Sequence, residues 1–192
     1  MAMTLLLYSM GERCPIVFAD TGGEWPETYS YLERFKEFIW KEWGAKITTL
    51  RKQPPLYDYL HEKGFTPSFR LKMCTDRWKV RPIKKAFPDA VTYLGYTVEE
   101  EKRIERKRRA KDALFYSFPL AEAGMNRADC GKFIKRFGLP VPQRSNCFFC
   151  ALQTKEQWEL LKRLHPDLFR KARELERRHR EIRGVDYRYI KL

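Results

Sequence analysis

Four cysteines, Cys74, Cys130, Cys147 and Cys150, carry the most chemistry in this chain. The last two frame Cys147-Phe148-Phe149-Cys150, a C-x-x-C pair on a turn directly after a loop punctuated by Pro140 and Pro142. Thiolates at this spacing can bind one metal, because a tight turn points both sulfurs the same way. Two further cysteines would complete a four-thiolate site, closed around zinc or able to hold an iron–sulfur cluster. The same residues could instead pack as small hydrophobes or work as a redox dithiol. Cys14, ahead of an apolar run, is the odd one out and is expected to be structural.

A second group of residues suits an anionic or nucleoside ligand. In Asp20-Thr21-Gly22-Gly23-Glu24 the glycines let backbone amides approach a ligand. Asp20 or Glu24 can accept hydrogen bonds from a ribose or an adenine amine. Lys79 and Arg81 follow Cys74 and could hold a phosphate or sulfate, or be ordinary surface charges. His61, His165 and His179 share no spacing and have no carboxylate in register, so none is assigned to a metal. No Ser-His-Asp order, dinucleotide fingerprint or Walker loop is present.

The elements that must position these groups can be read from periodicity. Ala2 to Met10 predicts a short helix stopped by Gly11. Cys14 to Ala19 is a continuous apolar run suited to a buried parallel strand ending at Asp20. Pro26 opens a helix with an apolar face of Tyr31, Leu32, Phe35, Phe38 and Ile39, ending by Gly44. Lys46 to Leu50 predicts a strand, residues 52–70 a loop with one short helix, and Val91 to Leu94 a third strand ending at Gly95. Gly95 to Glu100 and Asp20 to Glu24 then lie at two strand ends, where open parallel sheets bind ligands. Glu99 to Ala110 predicts a very polar helix, and Leu114 to Phe118 an extended segment. Asn126 or Asp129 caps a helix through Phe137, Thr154 caps another, and Pro166 opens a long last helix through Arg183. The order indicates an α/β layer structure with a parallel sheet.

The 192 residues suit one domain, or one with a helical appendage. No apolar run is long enough to span a bilayer, and Met1 to Tyr8 lacks the features of a signal peptide. Five irregularly spaced cysteines in a Lys/Arg-rich chain fit a reducing cytoplasm. The net charge of +14 favours a polyanionic partner, such as nucleic acid. The excess is concentrated in two runs. Arg70, Lys72, Arg77, Lys79, Arg81, Lys84 and Lys85 stand against a single Asp76, and residues 162–191 hold eleven basic and five acidic side chains.

Several of these pieces occur in an order that resembles the phosphoadenosine phosphosulfate reductase-like family, within the adenine-nucleotide α-hydrolase superfamily. Phe18 to Glu24 followed by Pro26-Glu27-Thr28-Tyr29 is similar to the family's second strand and turn. Cys74-Thr75 with Lys79-Val80-Arg81-Pro82-Ile83 looks like its middle motif, and Gly95 with Glu100 and Arg103 like its Gly…Glu…Arg segment. Tyr116 to Leu120, Gly124 to Cys130 and Pro142 to Cys150 look like the cysteine module of one branch. The resemblance implies a doubly wound, mostly parallel sheet over residues 1–120 and a helical cysteine module over residues 121–192. It implies binding of ATP or an adenylyl sulfate by Asp20, Thr21, Gly22, Glu24, Lys79, Arg81, Gly95, Glu100 and Arg103. It also implies a [4Fe-4S] cluster on Cys74, Cys130, Cys147 and Cys150, with zinc as the alternative.

One departure bears on this expectation. Family members open with a strand and a Ser-Gly-Gly-x-Asp/Asn-Ser loop that cradles the nucleotide phosphates. Here Met1 to Met10 look like the helix that follows that loop, so either the first strand lies upstream of Met1 or the chain is a degenerate member. Two readings follow. One is a nucleotide-dependent sulfur-transfer enzyme that modifies tRNA or DNA through adenylation, fed by a sulfur-donor protein. A sulfonucleotide reductase is disfavoured because no cysteine follows Cys150. The other is a non-catalytic nucleic-acid-binding module with a structural metal.

Overall fold

In the computed structural model, residues 1–68, 72–110, 115–190 and 192 are described. Arg70, Leu114 and Lys191 from the runs above lie outside them. The elements are α1 (Ala2–Ser9), β1 (Ile16–Asp20), α2 (Pro26–Trp43), β2 (Ile47–Arg51) and α3 (Leu56–Lys63). A continuous helical run follows, made of α4 (Met73–Thr75), a π-helical turn (Asp76–Val80) and α5 (Arg81–Ala86). Then come β3 (Thr92–Tyr93), a 3-10 turn (Val98–Glu100), α6 (Glu101–Arg108), β4 (Tyr116–Ser117) and α7 (Pro119–Glu122). The chain ends with α8 (Arg127–Arg136), α9 (Lys155–Leu164) and α10 (Pro166–Arg183). No helix among the described residues is long and apolar enough to cross a membrane.

The chain is mixed α/β, but its strands are short. Among the described residues β1 pairs with β2, and β3 pairs in parallel with β4, with Thr92 opposite Tyr116 and Tyr93 opposite Ser117. The expected fully buried strand from Cys14 is thereby corrected. β1 starts at Ile16, and Ile16 to Ala19 are only half-buried, since the strand has one hydrogen-bonded neighbour among the described residues. The expected division at residue 120 also differs from the compact units, which interleave along the chain. The first contains Met1–Ile16, Phe38–Ile47 and Phe87–Pro142, and the second Val17–Glu37, Thr48–Ala86 and Gln143–Leu192.

In the first unit α1 packs on α7 and α8. Leu5, Leu7, Ile39, Ile104, Phe118, Leu120 and Ile134 are among its buried apolar residues. Asn126 and Asp129 cap α8 jointly rather than as alternatives. The Asp129 N–H donates to Asn126 Oδ1 at 2.9 Å, and the Asn126 N–H to Asp129 Oδ2 at 3.2 Å.

The second unit is built on aromatic packing. Trp25, Leu56, Leu60, Trp78, Phe148, Phe149, Trp158, Leu161 and Leu175 form one buried cluster. The periodicity of α9 and α10 accounts for their pairing: Trp158 and Leu161 face Ala172 and Leu175, each pair one helical turn apart and fully buried. Each large side chain so buried contributes about 2–3 kcal/mol.

The residues after α10 were not predicted to be ordered, yet Tyr189 and Ile190 are buried. Glu176 explains this. Its Oε1 accepts the N–H groups of both Tyr189 and Ile190 at 2.9 Å, and the Tyr189 hydroxyl donates to the Ala172 carbonyl at 3.0 Å. Glu176→Ala would leave two buried amides unpaired, at a cost of about 2–3 kcal/mol. The expected result is a lower urea midpoint with an unchanged helical signal for α9.

Candidate functional site

β1 ends in the turn that carries the site. Asp20 is 1% exposed and its two oxygens are filled by protein donors. Oδ1 accepts the Gly22 N–H at 2.7 Å and the Tyr29 hydroxyl at 2.8 Å. Oδ2 accepts Arg51 Nε at 2.9 Å and also Arg51 Nη2. Burial works against the charged carboxylate, but these donors overcome it and hold Asp20 below the usual carboxylate range. A carboxylate has about four acceptor positions, so Asp20 has none to spare for a ribose. Its role is to hold the turn.

The glycines of the turn also differ from expectation. Gly22 has φ +77°, the left-handed region that favours glycine. At Gly23 a Cβ would overlap the Phe149 ring, with Cζ at 2.8 Å. The close approach that Gly23 permits is therefore to this chain's own Phe149, not to a ligand. The Phe148 N–H donates to the Gly23 carbonyl at 2.7 Å, and Glu24 bridges to Cys147 in antiparallel fashion. These contacts seat the C-x-x-C turn on the Thr21–Glu24 turn. Gln153, fully buried, braces both: it accepts from Trp25 Nε1 at 3.1 Å and donates to the Phe148 carbonyl at 3.0 Å.

Three of the four cysteines influence one another here without forming a metal-holding group among the described residues. Cys74 comes from α4, and Cys147 and Cys150 from the turn, and the three are close enough to act on one another electrostatically. Thr21 Oγ1 donates to Glu24 Oε1 at 3.1 Å and lies 3.1 Å from Cys147 Sγ. Cys147 Sγ is 3.9 Å from Glu24 Oε1, and Lys79 Nζ is 3.5 Å from the same oxygen. Burial pushes the Cys147 thiol far up, the Glu24 charge adds to this, and Lys79 and Thr21 oppose it. Burial raises Cys150 too, although the Leu152 N–H donates to its sulfur at 3.4 Å. Burial disfavours the Lys79 ammonium, but Glu24, Cys147 and Cys74 outweigh that and hold its pKa above the ordinary lysine value.

The π turn explains how Cys74 and Lys79 reach one place. In an α-helix, residues five apart point about 140° away from each other. A wider π turn reduces that angle and brings them to one side. It also buries Trp78, whose Nε1 donates to the Pro54 carbonyl at 3.1 Å. Arg81 does not join them: it is exposed and ion-paired to Asp76 at 2.8 Å.

The remaining predicted residues belong to the first unit. Cys130 is on the buried face of α8, where burial raises its thiol pKa. Glu100 closes a capping box with Thr97, accepting its N–H at 3.3 Å, and is ion-paired to Arg103. The Arg103 guanidinium lies 4.2 Å over the Tyr96 ring. A Cβ on Gly95 would make only ordinary contacts at 3.8 Å, so no close approach demands glycine there. Among the described residues no group of three or more Cys, His, Asp or Glu side chains is placed to hold a metal ion. The histidines do have carboxylates, from distant elements: His165 is 2.8 Å from Glu27 and His61 3.4 Å from Glu174.

Sequence reasoning missed Arg51, Gln153 and the Thr21–Glu24–Cys147 contacts. Arg51 was findable, since it ends β2, the strand after β1, where parallel-sheet sites collect. Nothing in the spacing pointed to Gln153.

The chain is similar to two curated proteins. It is 24% identical over 207 aligned residues to an uncharacterized protein of Methanocaldococcus jannaschii, covering 98% of this chain and 41% of that protein. It is 25% identical over 182 residues to an uncharacterized nin region protein of Escherichia phage lambda, covering 77% of this chain and 59% of that one. The chain thus spans about two fifths to three fifths of the length of these relatives. No family model matches it, and no solved structure does.

Proposed function

We propose that the protein is a nucleotide-dependent sulfur-transfer enzyme acting on a nucleic acid in the cytoplasm, on a doubly wound adenine-nucleotide α-hydrolase-like scaffold. The observation that carries this reading is the meeting of Cys74, Cys147 and Cys150 with Lys79 and the buried Glu24 at the end of β1. Soft thiols gathered beside a cation on a sheet end suit sulfur chemistry next to an anionic nucleotide. The three thiols are of the kind that zinc or an iron–sulfur cluster takes.

In the proposed reaction, an oxygen of the nucleic-acid base attacks the α-phosphorus of ATP and pyrophosphate leaves. Hydrosulfide then adds at the activated carbon, and AMP departs with that oxygen. Lys79 holds the anionic nucleotide, Glu24 keeps Lys79 charged and oriented, and Thr21 ties Glu24 to Cys147. Asp20 and Arg51 keep the turn in shape. A metal or cluster, if held by these thiols, would supply Lewis-acid chemistry.

The test is anaerobic purification, followed by iron, sulfide and zinc analysis on single alanine variants. Each of Cys74→Ala, Cys147→Ala and Cys150→Ala is expected to lower the bound metal at least tenfold. Cys130→Ala reports whether the fourth thiolate comes from α8. Retention of full metal by all three variants, or pyrophosphate release that ignores them, would overturn the reading.

A further inference from the structure

The cations of this chain are not equivalent. On α10 more than half are paired: Arg177 with Glu174 and Glu181, Arg178 with Glu181 at 3.4 Å, Arg173 with Glu176 at 3.4 Å, and Arg180 with Asp186 beyond the helix at 2.8 Å, while Arg170, Lys171 and Arg183 make no ion pair among the described residues. Over 101–109 the balance is different, with Lys102, Arg103, Arg106, Lys107, Arg108 and Arg109 against Glu101 and Glu105. Arg103 pairs with Glu100, and Arg109 with Glu105 at 3.5 Å. Among the described residues Lys102, Arg106, Lys107 and Arg108 make no ion pair. α6 is anchored by one buried residue, Ile104, and gives the rest of its surface to charge.

Aromatic rings lie under these cations. Lys107 Nζ is 4.0 Å from the Tyr116 ring centre, and the guanidinium of Arg108 is 5.8 Å from Phe118. Tyr96, under Arg103, stacks on Phe118 at 5.9 Å with planes 18° apart. Tyr96 follows β3 and Tyr116 sits in β4, so the parallel pairing of those strands fixes both rings. Both are half-buried. Cations spaced along a helix, with held flat rings beside them, match the two components of single-strand binding: contacts to phosphates and stacking under bases.

We propose that α6, with Tyr96 and Tyr116, is the platform on which the protein holds a single-stranded nucleic acid. Lys102 and Arg106, one turn apart and exposed, neutralise phosphates, and bases stack on the tyrosine rings in place of Arg103 and Lys107, whose charges turn to the phosphates. The proposal rests on the sulfur-transfer reading in one respect, since it gives the acceptor of that reaction a place to bind.

The test is fluorescence anisotropy of the full chain with a labelled twenty-nucleotide single-stranded RNA, a duplex of the same sequence, and heparin as competitor, without added ATP. Lys102→Glu/Arg106→Glu is expected to weaken single-strand binding at least tenfold and to lower the log–log salt slope by about 1–2. Tyr116→Leu, which keeps the apolar bulk of β4, is expected to weaken it at least fivefold. Arg170→Glu/Lys171→Glu on α10 is expected to change it less than threefold. Melting curves accompany each variant, and Lys102→Ala/Arg106→Ala replaces the reversal if that unfolds the protein. Binding unchanged by the α6 variants, a larger effect from α10, or equal affinity for duplex with no effect of Tyr116→Leu would overturn the platform. Metal content and pyrophosphate release are measured on the same samples. A protein that still releases pyrophosphate but binds RNA elsewhere sinks the platform alone.

Discussion

Asp20→Ala is expected to destabilise the protein by about 3–4 kcal/mol at neutral pH. The largest part comes from the Gly22 N–H and the Tyr29 hydroxyl, which lose a nearly inaccessible acceptor. An unpaired buried donor costs about 1–3 kcal/mol. Arg51 adds little, because its side chain is 55% exposed and finds water instead. Asp20→Asn keeps an oxygen for Gly22 and Tyr29 and is expected to lose only about 1–2 kcal/mol.

The pH dependence separates charge from geometry. Asp20 is held below its ordinary pKa by its donors against the opposing effect of burial. A depressed carboxylate contributes stability that is present above the unfolded-state pKa of about 4 and is lost as pH falls through the lower folded value. The gap between wild type and Asp20→Asn should therefore be constant from pH 6 to 8 and close at lower pH. Urea unfolding across that range measures it. A gap that persists unchanged in strong acid would show that the Arg51 pair carries none of it.

The sequence made some of this visible and hid the rest for physical reasons. Helices with one apolar face and their own caps were legible: Pro26 to Trp43, the Thr154-capped α9 and Pro166 to Arg183 fall where the 3.6-residue period and the capping chemistry put them. The strands were legible in position but not in burial, because an apolar run such as Cys14 to Ala19 does not say how many neighbours it will have. The helical run through Cys74 and Lys79 was hidden, since a basic stretch with few apolar residues has no clear period and a π turn breaks what period there is.

Within the site, Cys74 and the Cys147–Cys150 turn belong to the same compact unit, and Cys130 belongs to the other. Asp20 is expected to bind a ligand and the glycines to let one approach, whereas Asp20 spends its acceptors on Gly22, Tyr29 and Arg51, and Gly23 makes room for Phe149. A type-level argument can say that a carboxylate accepts and a glycine permits approach. It cannot say which partner arrives first, because tertiary packing decides that, whether the partner is 9 or 31 positions away, as Tyr29 and Arg51 are, or on the distant C-x-x-C turn, as Phe149 is. The ion pairs His165–Glu27 and Lys79–Glu24 escaped for the same reason.

Lys79→Met is expected to have the largest effect on activity, and a double variant shows why. Lys79 is the cation that faces both Glu24 and the thiols, and its side chain is 43% exposed, so it can meet an anionic ligand from the open side. Removing a positioned cation from developing negative charge costs roughly a hundred- to a thousandfold in rate. Pyrophosphate release should fall by that factor. The same substitution leaves Glu24, 5% exposed, buried with only the Thr21 and Cys147 donors, so stability should also fall. Glu24→Gln/Lys79→Met removes the stranded charge and should recover most of the stability of the single variant. It should recover none of the rate, because the amide restores the buried contact and not the cation. Recovery of both together would make Lys79 a structural counter-ion and take it out of the reaction. A Lys79→Met protein with full pyrophosphate release would remove the nucleotide from this end of β1 altogether.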